Sequence, residues 1–521
     1  MCTPAVFRLL LLPLTLLTAT AATRLVEPGA GGRLRYQADP QGNTVPDFSR
    51  AGYAGGGVAL PVLPVVRTLG PSGDEADDGV RIQAAIDAVG ALPADARGFR
   101  GAVLLERGTY RVAGELRIRT GGIVLRGQGQ GTDGTILLAT GTADRVFLAA
   151  GATGARRTER SGTRRAVTAA YVPWSATSLE IESTEGLSVG DRIVVFRPST
   201  AAWIHALGMD AIRPRPGAPE GSTRMWEPGT YDLHIERTVT AIEGRRITID
   251  APVMIALDAR FGGGAVYRYD HPRIREVGFE NLRVVSEYER GRETQDEAHA
   301  MVALHLEHVE NAWVRDVTVQ HFSGGILARA DSLFTTIQDC TYVDPVSIIT
   351  GGRRYAFVLD GQYGLVQRCN ATEARHGFMT GARVRGPNVF LDSKSLASHS
   401  DSGPHHRWAV GVLYDNIEDS KELNVQDRQW AGTGHGWAGA QNVFWNCISP
   451  NIVVQQPPAS QNYAFGLIGT LRPGQWNPTA PSGHIESHGT PVTPRSLYLT
   501  QLSERLGPEA LTQTGFTLSA P

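Results

Sequence analysis

One short phrase returns five times in the second half of the chain: Val314-Arg-Asp316-Val317, Ile337-Gln-Asp339-Cys340, Val366-Gln-Arg368-Cys369, Phe390-Leu-Asp392-Ser393 and Phe444-Trp-Asn446-Cys447. A unit that returns at steps of 23, 29, 24 and then 54 residues cannot bury its apolar side alone and must stack on its neighbours, which is the rule of a solenoid. The pattern predicts one phrase per coil, with Val317, Cys340, Cys369, Ser393 and Cys447 forming a buried ladder in which cysteine acts as a small hydrophobe. A Cys340–Cys369 disulfide is the competing reading. Glycine (60) and proline (30) punctuate short apolar runs, as expected of a turn-rich β protein.

A second recurrence carries chemistry. His376/Phe378, His406/Trp408 and His435/Trp437 each place a large aromatic two residues after a histidine, at steps of 30 and 29 residues, and Arg354-Tyr-Ala-Phe357 fits the same slot 22 residues earlier. Stacked coils would align these positions in a column. The middle coil adds His399, Asp401, His405, Arg407 and Asp415, and Arg375 precedes His376.

The remaining chain divides by composition. Residues 1–22 read as a signal peptide: one positive charge before an apolar run, then Ala19-Thr20-Ala21 as a cleavage site. The run is shorter than the ~20 residues a bilayer demands, so the mature chain is expected to be secreted or periplasmic, with an uncleaved anchor as the alternative. Residues 23–154 hold a Gly/Pro-rich lead-in, a helix and the first coils. Val80, Ile82, Ala85, Ile86 and Val89 have helical spacing behind Asp77-Asp78. The acidic group Asp74, Glu75, Asp77 and Asp78 is compatible with calcium, but a helix N-terminus accounts for it; no cofactor is required. Residues 155–265 read as an inserted antiparallel β subdomain whose irregular stretch carries Trp203, His205, Trp226, Tyr231 and His234. It forms either one wall of a cleft or a structural flap. Residues 266–470 are the main coils, with a polar run from Ser286 to Glu297 looping out. Residues 471–521 form a C-terminal tail in which Ser496 to Leu506 suits a last helix.

Three phrases near the start resemble a known superfamily. Asp78-x3-Ile82-Gln83-Ala-Ala85-Ile86, then Leu105-x2-Gly108-Thr109-Tyr110-Arg111-Val112, then Leu125-Arg126-Gly127-x-Gly129 look like the N-terminal entry of the pectate-lyase-like superfamily. The resemblance implies an all-β fold: a single-stranded right-handed parallel β-helix with an N-terminal capping helix. It selects no single activity, because that superfamily spans lyases, hydrolases, epimerases and phage tailspikes.

The residue types narrow the function. A net charge of −2 argues against a nucleic-acid partner, no segment after the leader is long enough to span a membrane, and a monomer is expected. Histidine shuttles protons near neutral pH, arginine forks onto carboxylates, and aromatic rings give sugars a stacking face. The set His376, His405, His406, His435, Arg407, Asp401 and Lys394 is therefore the expected catalytic group, and no metal ligand set is expected. Arg354, Arg375, His399, Trp408, Asp415, Trp430, Trp437, Trp203 and Trp226 are expected to bind substrate. Lys394 is one of two lysines against 48 arginines, and strand alternation places it outward with Arg368, Asp392, Asn446 and Asn370. The chemistry that best uses these groups is β-elimination on a uronic-acid polysaccharide. A glycoside hydrolase pairing Asp401 with Asp415 or Asp392 is the alternative, and a non-catalytic glycan-binding β-helix is the third.

Overall fold

The computed structural model describes residues 21–29, 33–73, 76–219 and 221–516; the expected signal peptide, Cys2, Asp74 and Glu75 lie outside them, Ala21 and Ala22 of the leader excepted. The chain is a right-handed parallel β-helix with three faces. The first face stacks Gly101–Leu105, Ile123–Arg126, the starts of Ile274–Ser286 and Val309–Gln320, Leu333–Gln338, Leu365–Gln367, the middle of Arg385–Leu396 and of Ala409–Asp419, Val443–Trp445, Tyr463–Phe465 and His484–Glu486. A corner leads to the second face, in which Asn370–Thr372 pairs with Lys394 to Leu396, and Ser393 to Ser395 with Ile417 to Asp419. The third face holds Val302–Leu306, Gly324–Ala328, Tyr355–Leu359, His376–Thr380, Asp401–Pro404 and Glu422–Val425.

The recurring phrase is the corner between the first two faces. Its third residue adopts the left-handed conformation in coil after coil: Asn281, Asp316, Asp339, Arg368, Asp392, Asn416 and Asn446 have φ between 45° and 57°. Six of these seven are Asn or Asp, the non-glycine types that tolerate this region best. The corner, not simple strand alternation, is what turns Arg368, Asp392 and Asn446 outward. The next residue points inward. Register stacks Leu282, Val317, Cys340, Cys369, Ser393, Ile417 and Cys447 on successive coils. The expected ladder therefore exists with two rungs more, Leu282 before Val317 and Ile417 between Ser393 and Cys447. All three cysteines are buried and free. The disulfide is absent because in-register side chains lie side by side, with each Sγ turned to a backbone carbonyl.

Aromatic rings stack inside the helix. Phe390–Tyr414 centroids are 5.1 Å apart and Tyr414–Phe444 4.9 Å, both close to parallel. Asn388, Asn442 and Asn462 are buried with side chains bonded to the backbone of neighbouring coils, so their polar atoms are satisfied without water. At the open N-terminal end, helix Gly79–Gly90 buries Ile82, Ala85, Ile86 and Val89 against the first coils. Val80, expected on that face, is 75% exposed. Asp78 is the cap residue but makes no side-chain cap bond; Asp77 Oδ1 accepts from the Gly79 amide instead.

The segment after the first coils folds as an antiparallel sheet that includes Ser178–Glu180, Arg192–Arg197, Leu233–Glu243, Arg246–Ile249 and Ala265–Asp270. Trp203 lies on a short helix, Ala201–Ala206, capped by Thr200, rather than in an irregular loop. Near the C-terminus Ser496 caps helix Leu497–Leu506, which covers part of the first face. Among the described residues no helix is long and apolar enough to cross a membrane.

Candidate functional site

Consecutive coils bring a cluster of imidazoles together where the third face ends. Tyr355 and His376 are register partners on adjacent strands, with rings 4.8 Å apart. The slot occupied by His376 is therefore filled one coil earlier by Tyr355, not Arg354. Asp401 follows on the next strand. The Nδ1–H of His376 donates to the Asp401 carbonyl at 2.8 Å, and this nitrogen also lies 3.5 Å from Asp401 Oδ1. Beyond Pro404 the chain turns sharply through His405-His406-Arg407-Trp408. Arg407 and Trp408 both have positive φ, 55° and 73°, two consecutive strained positions of the kind that gather at functional sites.

The following coil supplies the rest. The amide of Arg428 donates to the carbonyl of Gly436 and that of Gly436 to Gln429, which ties off a loop carrying Arg428 at one end and His435 at the other. The ring of His435 lies flat over Gly432: a Cβ there would fall 2.2 Å from its Cε1. His405 is the hub. Its ring lies 4.5 Å from that of His376, 5.3 Å from His406 and 5.2 Å from His435, while His406 and His435 are 4.9 Å apart. Arg428 Nη1 reaches both His405 Nδ1 at 3.1 Å and Asp401 Oδ2 at 3.2 Å. Tyr355 Oη is 3.5 Å from His405 Nε2. His376, Asp401, His405 and Arg428 are buried; Tyr355, Arg375, His406, Arg407 and His435 are half-buried around them.

The electrostatics follow from burial among arginines. Burial, and next the charges of Arg407 and Arg428, lower His406 to about 3. Burial and the neighbouring His406 lower His435 to about 2. Burial takes His376 to about 4, with Asp401 partly opposing it, and holds His405 well below the ordinary imidazole value, helped by Arg428. Burial also pushes the Asp401 carboxyl up, but Arg428 and then His376 outweigh it and keep Asp401 well below the usual carboxylate range. Tyr355 is pushed up, chiefly by burial. At neutral pH the site thus holds four neutral imidazoles, a carboxylate, a phenol and positive guanidiniums.

The other expected site residues lie elsewhere. Trp408 is 0% exposed and packs edge-on against Trp203, with ring centroids 5.0 Å apart. Trp226 stacks on Tyr231, and the Trp437 Nε1–H donates to the Leu207 carbonyl. These tryptophans pack between coil and insertion, while the buried Trp445 lies against Phe465 and donates its Nε1–H to the Pro494 carbonyl; none offers a sugar a face. Trp430 is half-buried next to Gln429. Asp415 is sealed under the C-terminal helix, bonded to Ser496 Oγ and the Tyr498 amide, and Asp392 is held by Arg495. Neither joins Asp401, so the expected hydrolytic pairs are not assembled. Arg354 is buried and gives its guanidinium to the Glu293 and Ser347 carbonyls. His399 is exposed outside the cluster. Lys394 sits on the second face in an exposed pair with Glu418 at 2.7 Å. Lys394→Met is expected to change stability by no more than about 0.5 kcal/mol, as exposed pairs do, and to leave any activity of the chain unaltered. A thermal melt and a rate assay check this.

Sequence reasoning missed Arg428, Tyr355 and Trp476, over whose ring Arg428 lies at 4.7 Å. Arg428 belongs to no repeated phrase. Tyr355 was signalled by the Arg354-Tyr-Ala-Phe357 repeat, but read one residue out of register. The polar run after Ser286 lines a separate cleft of about 840 Å³ with Tyr288, Glu293, Asp296 and His321. Its carboxylates are engaged: Glu287 by Arg111, Glu289 by Arg292, and Asp296 by the amides of Glu289 and Ala298.

A right-handed parallel β-helix carrying a histidine–arginine cluster is the class that fold and site define. No family model and no curated protein matches the sequence. Among solved structures the chain is similar to the tailspike protein gp49 from Pseudomonas phage LKA1, at 16% identity and a TM-score of 0.46, covering 75% of this chain and 57% of that one. It is also similar to the tailspike of E. coli bacteriophage HK620 in complex with a pentasaccharide (9% identity, TM-score 0.39, 85% of this chain and 60% of that one). A third is the Gp54 tailspike of Acinetobacter baumannii bacteriophage AP22 in complex with capsular saccharide (10%, 0.28, 80% and 71%). The chain thus spans less than two thirds of the length of the first two.

Proposed function

We propose that the chain is a polysaccharide lyase that cleaves a uronic-acid-containing glycan by β-elimination. The observation that carries this reading is the convergence of His376, His405, His406 and His435 with Tyr355, Arg375, Arg407 and Arg428 at one point of the helix surface. β-Elimination asks for a cation against the uronate carboxylate, a base for the proton on the adjacent carbon, and an acid for the departing oxygen. The half-buried Arg375 and Arg407, with Arg428 behind them, supply the first. His405 or the more accessible His406, kept unprotonated by burial and then by its arginine neighbours, supplies the second.

Tyr355 supplies the third. As the imidazole takes the C5 proton, a C4–C5 double bond forms and the C4–O bond breaks; the phenol of Tyr355 protonates the departing oxygen. With His405 as the base, its protonated ring, 3.5 Å from Tyr355 Oη, then returns that proton to the phenolate, and the site is restored. Hydrolysis fits less well, because Asp415 and Asp392, the partners expected for Asp401, are committed elsewhere.

The test is to incubate the purified chain with a panel of acidic and neutral polysaccharides and follow absorbance in the near ultraviolet. An unsaturated uronate product from an acidic polymer is the expected result. New reducing ends without that absorbance would replace this reading with a hydrolase, and binding without either product would replace it with a glycan-binding module.

A further inference from the structure

The same cluster contains polar atoms that the β-elimination reading leaves unexplained. His376 is completely buried. Its Nδ1 proton is committed to the Asp401 carbonyl at 2.8 Å, which leaves Nε2 as a bare lone pair, and that nitrogen has no partner. His406 Nδ1 and His435 Nδ1 are likewise buried without partners. Three unsatisfied imidazole nitrogens within touching rings are a costly arrangement for a merely structural core. A ring held through one nitrogen by a backbone carbonyl, with the other free, is how a metal-binding histidine is oriented.

We infer that His376, His405 and Asp401 form a binding site for a divalent transition-metal ion of zinc-like preference, with His406 and His435 beside it as further imidazole donors. One ligand atom from each of the three lies within 4.8 Å of the others. Around a tetrahedral ion with metal–nitrogen bonds of about 2.0–2.1 Å, ligand atoms sit roughly 3.3 Å apart, so the cluster must draw in by about an ångström or more. What holds it open is identifiable. Arg428 Nη1 lies between His405 Nδ1 and Asp401 Oδ2, at 3.1 and 3.2 Å: a cationic N–H stands where an ion would satisfy the same two atoms. Arg428 already rests on the Trp476 ring, which can keep the guanidinium once Nη1 lets go.

The donor set selects the metal. Imidazole nitrogens suit zinc, nickel or copper, whereas calcium takes six to eight oxygens, and of the three ligands only Asp401 brings a carboxylate. In the other group of this kind among the described residues, His271 and His308 beside Asp331, the two rings bond each other at 3.1 Å, which spends one nitrogen of each. The inference concerns binding alone and does not depend on β-elimination.

Titration calorimetry and metal analysis of the chelator-treated full chain, without any glycan, test it. One zinc ion per chain and no bound calcium are expected. His376→Asn and His405→Asn should each weaken zinc by about 10- to 100-fold or more, while His205→Asn, at an exposed histidine paired only with Asp210, should leave it unchanged. Arg428→Gln removes the competing cation and should bind zinc more tightly. A purely structural role for these histidines does not predict that gain. Absence of stoichiometric zinc binding by the wild-type chain would overturn the inference. So would zinc binding that survives loss of both His376 and His405, equal affinity for calcium, or no gain in the Arg428 variant.

Discussion

His405→Ala is expected to lower turnover on the cleaved uronate polymer by about 10²- to 10⁴-fold, the range over which a positioned proton-transfer group contributes. His405 is central to the cluster: it accepts from Arg428, faces Tyr355 and packs against three imidazoles. Its loss therefore removes the path that returns a proton to Tyr355 as well as a candidate base. Tyr355→Phe keeps the ring and loses only the phenol, so its effect should fall on turnover with substrate affinity little changed. Arg407→Met, at the half-buried rim, should instead raise KM. The pH profile is a separate check. Burial and the surrounding arginines keep the imidazoles neutral well below the ordinary imidazole range, so in chelator-treated protein the acid limb should lie below about pH 6, where an unperturbed histidine base is already protonated. A limb near pH 6.5, or His405→Ala retaining more than a tenth of the rate, would remove His405 from the mechanism.

What the sequence revealed and what it hid divide along physical lines. The corner phrase was legible because a backbone requirement wrote it: each coil has a left-handed residue followed by a buried inward one, mostly apolar, and Asn or Asp meets the first demand cheaply. Ile417 escaped because Tyr-Asp-Asn-Ile has the same geometry in different letters. The histidine spacing was half right. His406 and His435 do stand on successive coils, and the Arg407 amide reaches the His435 carbonyl. His376 belongs to another face: Met379 pairs with Gly403 and Thr380 with Pro404, which sets Ser400 level with His376. The three imidazoles meet because the chain turns at His405, not because 30 residues separate them.

The tryptophans were misread for a different reason. A tryptophan that stacks on a sugar and one that packs against another tryptophan look alike in sequence. Trp408 meets Trp203 and Trp226 only because the insertion folds back onto the corner, a contact between residues some 200 positions apart. Arg428 was invisible on the same account, since its partners Asp401 and His405 lie one coil away.

Arg273→Met is expected to destabilise the chain by about 3–5 kcal/mol, the cost of stranding a buried charge. Glu236 stands on the insertion strand Leu233–Glu243 and is 2% exposed. Arg273, at the entry to the coil strand Ile274–Ser286, holds both its oxygens at 2.9 and 2.7 Å. Arg157 and the Tyr269 hydroxyl complete its contacts, and the Glu236 backbone bonds Gln362 and Tyr363 of a later coil. The pair thus clamps the insertion to the helix. Arg495→Met, which breaks the exposed pair with Asp392, should cost no more than about 1 kcal/mol. Urea midpoints compare the two, and amide exchange should show the insertion strands losing protection first in the Arg273 variant. Acid tests the same pair. Burial pushes the Glu236 carboxyl up, but the Arg273 charge and its hydrogen bonds win and set it at about 2, below its unfolded value. Its stabilising share is then complete above the unfolded carboxylate range and is lost as pH falls from there through about 2. The Arg273 variant should lose that part of the acid dependence; an unchanged acid limb, or a midpoint shift no larger than that of Arg495→Met, would show that the clamp contributes nothing.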